Sequence, residues 1–221
     1  MTAYDAVIFD SDGVLVRPPT DDVQAEATTA AFEAMGVETV DRAVVDELCD
    51  GVPAERVREL CRRYDLGPES FWTAWEDHDE RSQFRRFRDG TRGPYDDLEA
   101  VEQLEQPCGI VSNNHHTTIE FVLEYFDLEH LFETYYGREK TLESLALQKP
   151  NGHYLERALA DLDVEAGRAL YVGDSESDVL AAHRVGMDSA FVRRDHCRDV
   201  VLSEAATYDV AGLDAMPQIV R

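Results

Sequence analysis

Short apolar runs alternate along most of the chain with stretches of helical period. Residues 4–9, 109–111, 169–172 and 189–192 are brief, largely apolar and without regular polar alternation, and residues 131–136 are expected to include another strand. That is the pattern of strands covered on both faces, as in a parallel sheet. Residues 208–210 are a further candidate. Between these runs, residues 95–104, 117–126, 152–162 and 177–185 place apolar positions at helical spacing, and Gly186 stops the last. Strands alternating with helices predict an α/β fold with a doubly wound parallel sheet.

Residues 17–90 break the pattern. After Pro18-Pro19, Asp21 or Asp22 is expected to cap a helix running to about Met35, which Gly36 ends. Helices are then predicted over 40–49, 54–64 and 68–88, with a turn at Asp50-Gly51-Val52-Pro53. No strand pattern occurs there, and Gly90-Thr-Arg-Gly93-Pro94 marks the return. The expected organisation is therefore a discontinuous α/β core from 1–16 and 91–221, with an all-helical domain at 17–90 inserted into it.

Charge changes the picture. The 221 residues carry a net charge of −25, from 46 acidic against 21 basic side chains. Lysine occurs only at Lys140 and Lys149, and the acids are scattered rather than blocked. Lysine scarcity together with acid excess points to adaptation to a salt-rich cytosol rather than to an ordinary acidic enzyme; self-repulsion of this size is screened by salt. The composition resembles that of halophilic archaeal proteins. Nucleic acid and anionic membranes are disfavoured as partners. No apolar stretch has the length of a membrane span and residues 1–9 lack a signal-peptide layout, so the expected location is cytoplasmic. Cys49, Cys61, Cys108 and Cys197 are widely spaced and read as reduced, mostly buried thiols.

Four polar clusters sit at the ends of the apolar runs: Asp10-Ser-Asp12-Gly13, Ser112-Asn113-Asn114, Lys149-Pro150 and Gly173-Asp174-Ser-Glu-Ser-Asp178. In a parallel α/β sheet the carboxyl ends of the strands share one edge, where ligands bind. Asp10 and Asp12 resist joint ionisation unless a cation lies between them or one keeps a proton. Asp10 can then attack phosphorus as a carboxylate, while Asp12 serves as acid and base. Ser112 and Asn113 are candidates for holding phosphate oxygens, although Ser112 could equally be a helix N-cap. Lys149 can neutralise a phosphoryl group and screen Asp10. Asp174 and Asp178, with Asp10 and Asp12, make an oxygen-rich set suited to Mg²⁺; Asp178 reads equally as a first-turn helix residue. His115 and His116 read as a solvent-facing loop pair.

In order and spacing these clusters resemble the motifs of the haloacid dehalogenase superfamily, with Gly152 where the third motif often has a second proline. The resemblance spans nearly the whole chain. It implies a Rossmann-like core, a helical cap at 17–90 with a specificity loop at residues 49–54, and a Mg²⁺-dependent phosphatase acting on a small phosphorylated metabolite, as a monomer or homodimer. Within the superfamily, Asp12 argues against dehalogenation, and the absence of lysine from 17–90 argues against phosphonate chemistry. The Gly-Asp-Ser form of the fourth motif resembles the phosphoglycolate phosphatase branch. A sugar phosphomutase and a non-catalytic phosphate- or partner-binding protein are the rival readings. The arginines of 17–90 (Arg56, Arg58, Arg62 and Arg63; Arg85, Arg86 and Arg88) could meet an anionic end of the substrate, but are expected mostly to pair with surface acids. Trp72, Trp75, Phe84 and Phe87 are expected in the core of that domain.

Overall fold

The structure is a computed structural model that describes residues 4–49 and 51–221; Asp50, part of the expected specificity loop, lies outside the described residues, as does the side chain of Asp21. The strands are β1 (Ala6–Phe9), β2 (Cys108–His115), β3 (Thr134–Arg138), β4 (Ala169–Gly173), β5 (Asp188–Val192) and β6 (Tyr208–Val210). The helices are α1 (Asp21–Ala34), α2 (Arg42–Cys49), α3 (Ala54–Arg63), α4 (Pro68–Arg88), α5 (His116–Tyr125), α6 (His153–Leu162), α7 (Glu176–Val185) and the short α8 (Met216–Ile219).

All strands pair in parallel, in the order β3-β2-β1-β4-β5-β6. The chain builds outward from β1 to β3, then restarts at β4 and builds the other way. The reversal leaves a crevice at the carboxyl ends of β1 and β4, the usual ligand position in such sheets. Alternate side chains go to opposite faces. Val7 and Phe9 pack with Ile110, Leu170 and Val172 under α5, whereas Ala6 and Ile8 pack with Val111, Ala169 and Tyr171 under α6 and α7.

Two expectations for this region change. Residues 95–104 form 3₁₀ turns over Asp96–Gln103 rather than an amphipathic α-helix. Asp97 is drawn into tertiary bonds: its carboxylate accepts from Arg194 (2.8 and 2.9 Å) and from the Leu213 N–H (2.8 Å). Strand β2 also runs on past Val111 to His115, with its pairing to β3 interrupted between those two residues.

The second compact unit comprises Pro19–Arg92 together with Glu139–Ala146. Helices α1 to α4 enclose Phe32, Val44, Leu48, Val57, Leu60, Phe71 and Trp72. The short segment after β3 joins this unit rather than the core expected from 91–221, because buried Leu142 and partly buried Leu145 pack into that apolar cluster. Trp75 packs against the same cluster and donates from Nε1 to Thr28 Oγ1 at 2.9 Å, and Phe87 is buried. Thr20, rather than an aspartate, occupies the N-cap of α1. The four thiols are free, with Cys61, Cys108 and Cys197 buried. Among the described residues no helix is long and apolar enough to cross a membrane.

Candidate active site

Asp10 is the first residue beyond β1. Its N–H donates to Val172 O at 2.8 Å and so extends the β1–β4 ladder by one residue. That fixes the side chain in the crevice. Asp10 Oδ1 accepts from the Ser11 N–H (2.7 Å), and Oδ2 lies 2.9 Å from Lys149 Nζ. Both residues are buried.

Lys149 is held from several directions. Its Nζ lies 2.6 Å from Asp178 Oδ1 and donates to the Tyr171 hydroxyl at 2.7 Å. Tyr171 in turn donates to Val111 O at 2.7 Å, which directs its lone pairs toward the ammonium. The Lys149–Pro150 peptide bond is cis. Asn113 clamps the Lys149 main chain: its Oδ1 accepts from Lys149 N (2.7 Å), and its Nδ2 donates to Lys149 O (3.1 Å). The Asn113 amide is thus committed to Lys149, rather than turned outward as expected for a phosphate contact.

Strand β4 ends at Gly173, and Ser175 caps α7 in a capping box with Asp178. Asp178 Oδ2 accepts from the N–H groups of Asp174 (3.0 Å) and Ser175 (2.9 Å). Its other oxygen is the one facing Lys149. Asp174 and Asp178 come close to the crevice floor because two glycines allow it. A Cβ on Gly13, which has φ +81°, would stand 1.9 Å from Asp174 Oδ2, and a Cβ on Gly173 would stand 2.3 Å from the Asp178 Cβ.

Carboxylate oxygens of Asp10, Asp174 and Asp178 lie within 4.8 Å of one another. One ammonium does not neutralise three such groups. Burial pushes the Asp10 carboxyl up to about 7; the Asp178 and Asp174 charges add to this, against the downward pull of Lys149. Asp174 is raised as well, chiefly by burial. Burial alone would lower Lys149, but the Asp10 and Asp178 carboxylates outweigh it and hold the ammonium above its ordinary value. Excess negative charge on converging hard oxygens is the environment a small divalent cation fits.

The Asp12 carboxylate is not part of that cluster. Its Oδ2 accepts from Asn114 Nδ2 at 2.7 Å. Ser112 lies buried in β2, its Oγ accepting from the Asn114 N–H at 3.3 Å, and the N-cap of α5 is His115, not Ser112. His115 is buried, in contrast to the solvent-facing expectation, and His116 accepts from the Gly137 N–H at 3.2 Å and stacks on Tyr135. Two contributors carry no sequence motif. Tyr171 reads only as a strand residue, and His196 Nε2 lies 2.5 Å from Asp174 Oδ2. The signal for His196 is its position just past β5, the neighbour of β4 in the sheet.

The family model for haloacid dehalogenase-like hydrolases matches residues 7–192. A phosphoglycolate phosphatase of Neisseria gonorrhoeae is 29% identical over 216 residues, covering 91% of this chain and 85% of the relative. The pyrophosphatase PpaX of Bacillus cereus is 26% identical over 98 residues, 44% of each chain. Among solved structures, CbbY from Rhodobacter sphaeroides in complex with phosphate superposes with a TM-score of 0.74 at 19% identity, covering 96% of both chains.

Proposed function

Since the chain belongs to the haloacid dehalogenase-like hydrolases, we propose that it is a magnesium-dependent phosphatase that hydrolyses a small phosphomonoester through an aspartyl-phosphate on Asp10. The observation that carries this is the buried Asp10–Lys149–Asp178 chain of ion pairs at the crevice where the sheet reverses. Asp10, Asp174 and Asp178 are the residues that would hold the ion. When bound, Mg²⁺ supplies positive charge that offsets repulsion between the Asp10 carboxylate and an incoming phosphate dianion.

Asp10 attacks phosphorus, the ester P–O bond breaks, and Asp12 gives its proton to the departing alkoxide oxygen. Water then attacks the phosphorus of the aspartyl-phosphate, Asp12 takes a proton from it, and inorganic phosphate leaves with Asp10 regenerated. Asn114 aims the Asp12 carboxylate. Ser112 faces the phosphate oxygens, and Lys149, set in place by Asn113 and Tyr171, offsets their charge. Tyr171 stays a neutral hydroxyl, since burial holds its pKa well above the ordinary value. The helical unit carries substrate selection, and the acidic surface suits a salt-rich cytoplasm. The name of the gonococcal relative makes phosphoglycolate the first ester to try.

The test is phosphate release from a panel of small phosphomonoesters with Mg²⁺, at low and molar KCl, beside an Asp10→Asn control. Release from one or a few esters that disappears in the control supports the reading. Folded protein that releases none at either salt level, or a control as active as the parent, overturns it.

A further inference from the structure

The helical unit holds an open groove of about 420 Å³ between α1 and α4. His78, Arg81, Ser82 and Arg85 form its α4 wall, spaced so that they share one helix face. The α1 wall is Ala27 and Ala30, whose short side chains leave the space open, together with Glu26. None of these residues belongs to the Asp10–Lys149–Asp178 cluster.

Several other arginines of the unit sit on acids: Arg56 meets Glu47 and Glu59, Arg58 meets Glu55 and Glu143, and Arg63 meets Asp41. Acids outnumber bases 46 to 21, so partners are plentiful. Among the described residues, no ion pair within 4.0 Å involves Arg81 or Arg85; Arg85 acts only electrostatically on the Asp89 carboxylate one turn on, and Arg81 Nε donates to its own helix, at Asp77 O (2.8 Å). Two like charges one turn apart repel each other when nothing lies between them. Beside them Ser82 is 9% exposed as a residue, and its hydroxyl oxygen is buried with no hydrogen-bond partner. A buried hydroxyl left without a partner costs free energy that a ligand oxygen would recover.

We propose that this groove is a second binding site, for a small metabolite bearing a phosphate or carboxylate group. The guanidinium groups of Arg81 and Arg85 grip the oxyanion with paired N–H donors, and Ser82 donates a further hydrogen bond from the floor. His78 flanks the anion, and Glu26 limits its charge. The volume is that of a small-molecule pocket, so the oxyanion is one end of a larger ligand.

Inorganic phosphate is the simplest probe, followed by ³¹P line broadening against the 221-residue protein with EDTA present. Without metal, the crowded carboxylates around Asp10 repel phosphate, so the groove is the site left to report. Saturable broadening is expected in the parent protein. Arg81→Gln/Arg85→Gln should weaken it by about tenfold or more, the loss of charge-assisted hydrogen bonds. Ala30→Glu, which adds a carboxylate to the opposite wall, should also abolish it, and Glu26→Gln should tighten it. The last two variants decide the matter if the double variant does not fold, as judged by circular dichroism. No saturable broadening in the parent, broadening unchanged in folded Arg81→Gln/Arg85→Gln, or displacement of phosphate by an equal concentration of chloride would each overturn the proposal.

Discussion

Ionised Asp10 strains the metal-free fold, and replacing it should therefore stabilise the protein while destroying its activity. The carboxyl is pushed up to about 7 from the ordinary 3.8, with burial the largest cause. A rise of that size corresponds to about 4 kcal/mol once the group is fully ionised. Between pH 4 and pH 7 the folded state holds a proton that the unfolded chain has released. Stability therefore falls as pH rises through this window, and the loss is complete above the folded value. Asp10→Asn removes the effect. Asn can accept from only one of its two donors, the Ser11 N–H and Lys149 Nζ, but that penalty does not vary with pH. The variant's stability relative to the parent should thus be about 2–3 kcal/mol more favourable at pH 8 than at pH 5. The assay is urea unfolding of both proteins in EDTA and molar KCl at each pH. Added Mg²⁺ should stabilise the parent more than the variant, since it binds the ionised site. A stability difference independent of pH, or one that moves the other way, would refute the electrostatic account of the crevice.

Other outcomes follow from single contacts. Asn113→Ala removes both bonds to the Lys149 main chain and should cost about 1–3 kcal/mol in urea unfolding together with a fall in kcat; parental kcat and stability would show that Lys149 needs no clamp. His196→Ala leaves Asp174 without its imidazole contact and should weaken Mg²⁺ binding about 10–100-fold by calorimetry, with partial recovery in His196→Gln; an unchanged Kd would remove His196 from the site. Gly13→Ala places a methyl group where Asp174 stands and forces a left-handed backbone on alanine, so it should lower both Tm and Mg²⁺ affinity; a variant matching the parent in both would show that the loop can move aside.

Much of this site was legible because a parallel sheet gathers its strand ends. Asp10 and Asp174 follow two of the clearest apolar runs, Val7–Phe9 and Leu170–Val172, and these strands are adjacent where the sheet reverses. Strand sequence carried that information directly. The parts that were not legible depend on which partner a polar group finds in three dimensions. Asn113 reads the same in sequence whether its amide faces a phosphate or the main chain of Lys149. Residues 95–104 have helical spacing, but Arg194, far along the chain, captures Asp97 and reshapes the segment. Leu142 and Leu145 sit in a stretch too short to show a period, so their packing into the helical unit left no signal in the sequence.

Asp178 shows why two readings of one residue need not compete. As a first-turn residue it offers a carboxylate to free N–H groups at the start of α7, and as a site residue it offers charge to the crevice. The two oxygens divide these tasks: Oδ2 takes the Asp174 and Ser175 N–H groups, and Oδ1 faces Lys149. The helix cap fixes the carboxylate's orientation, and that orientation delivers Oδ1 to the ammonium. Lys149 is thereby held between Asp178 and Asp10, which keeps it charged despite burial. Local helix chemistry at one end of α7 thus sets the electrostatics of the proposed nucleophile at the end of β1. Separating the two would require a residue that caps without a charge. Asp178→Asn retains an acceptor for the cap but withdraws one of the two carboxylates around Lys149, leaving Asp10 as its remaining anionic partner within this triad.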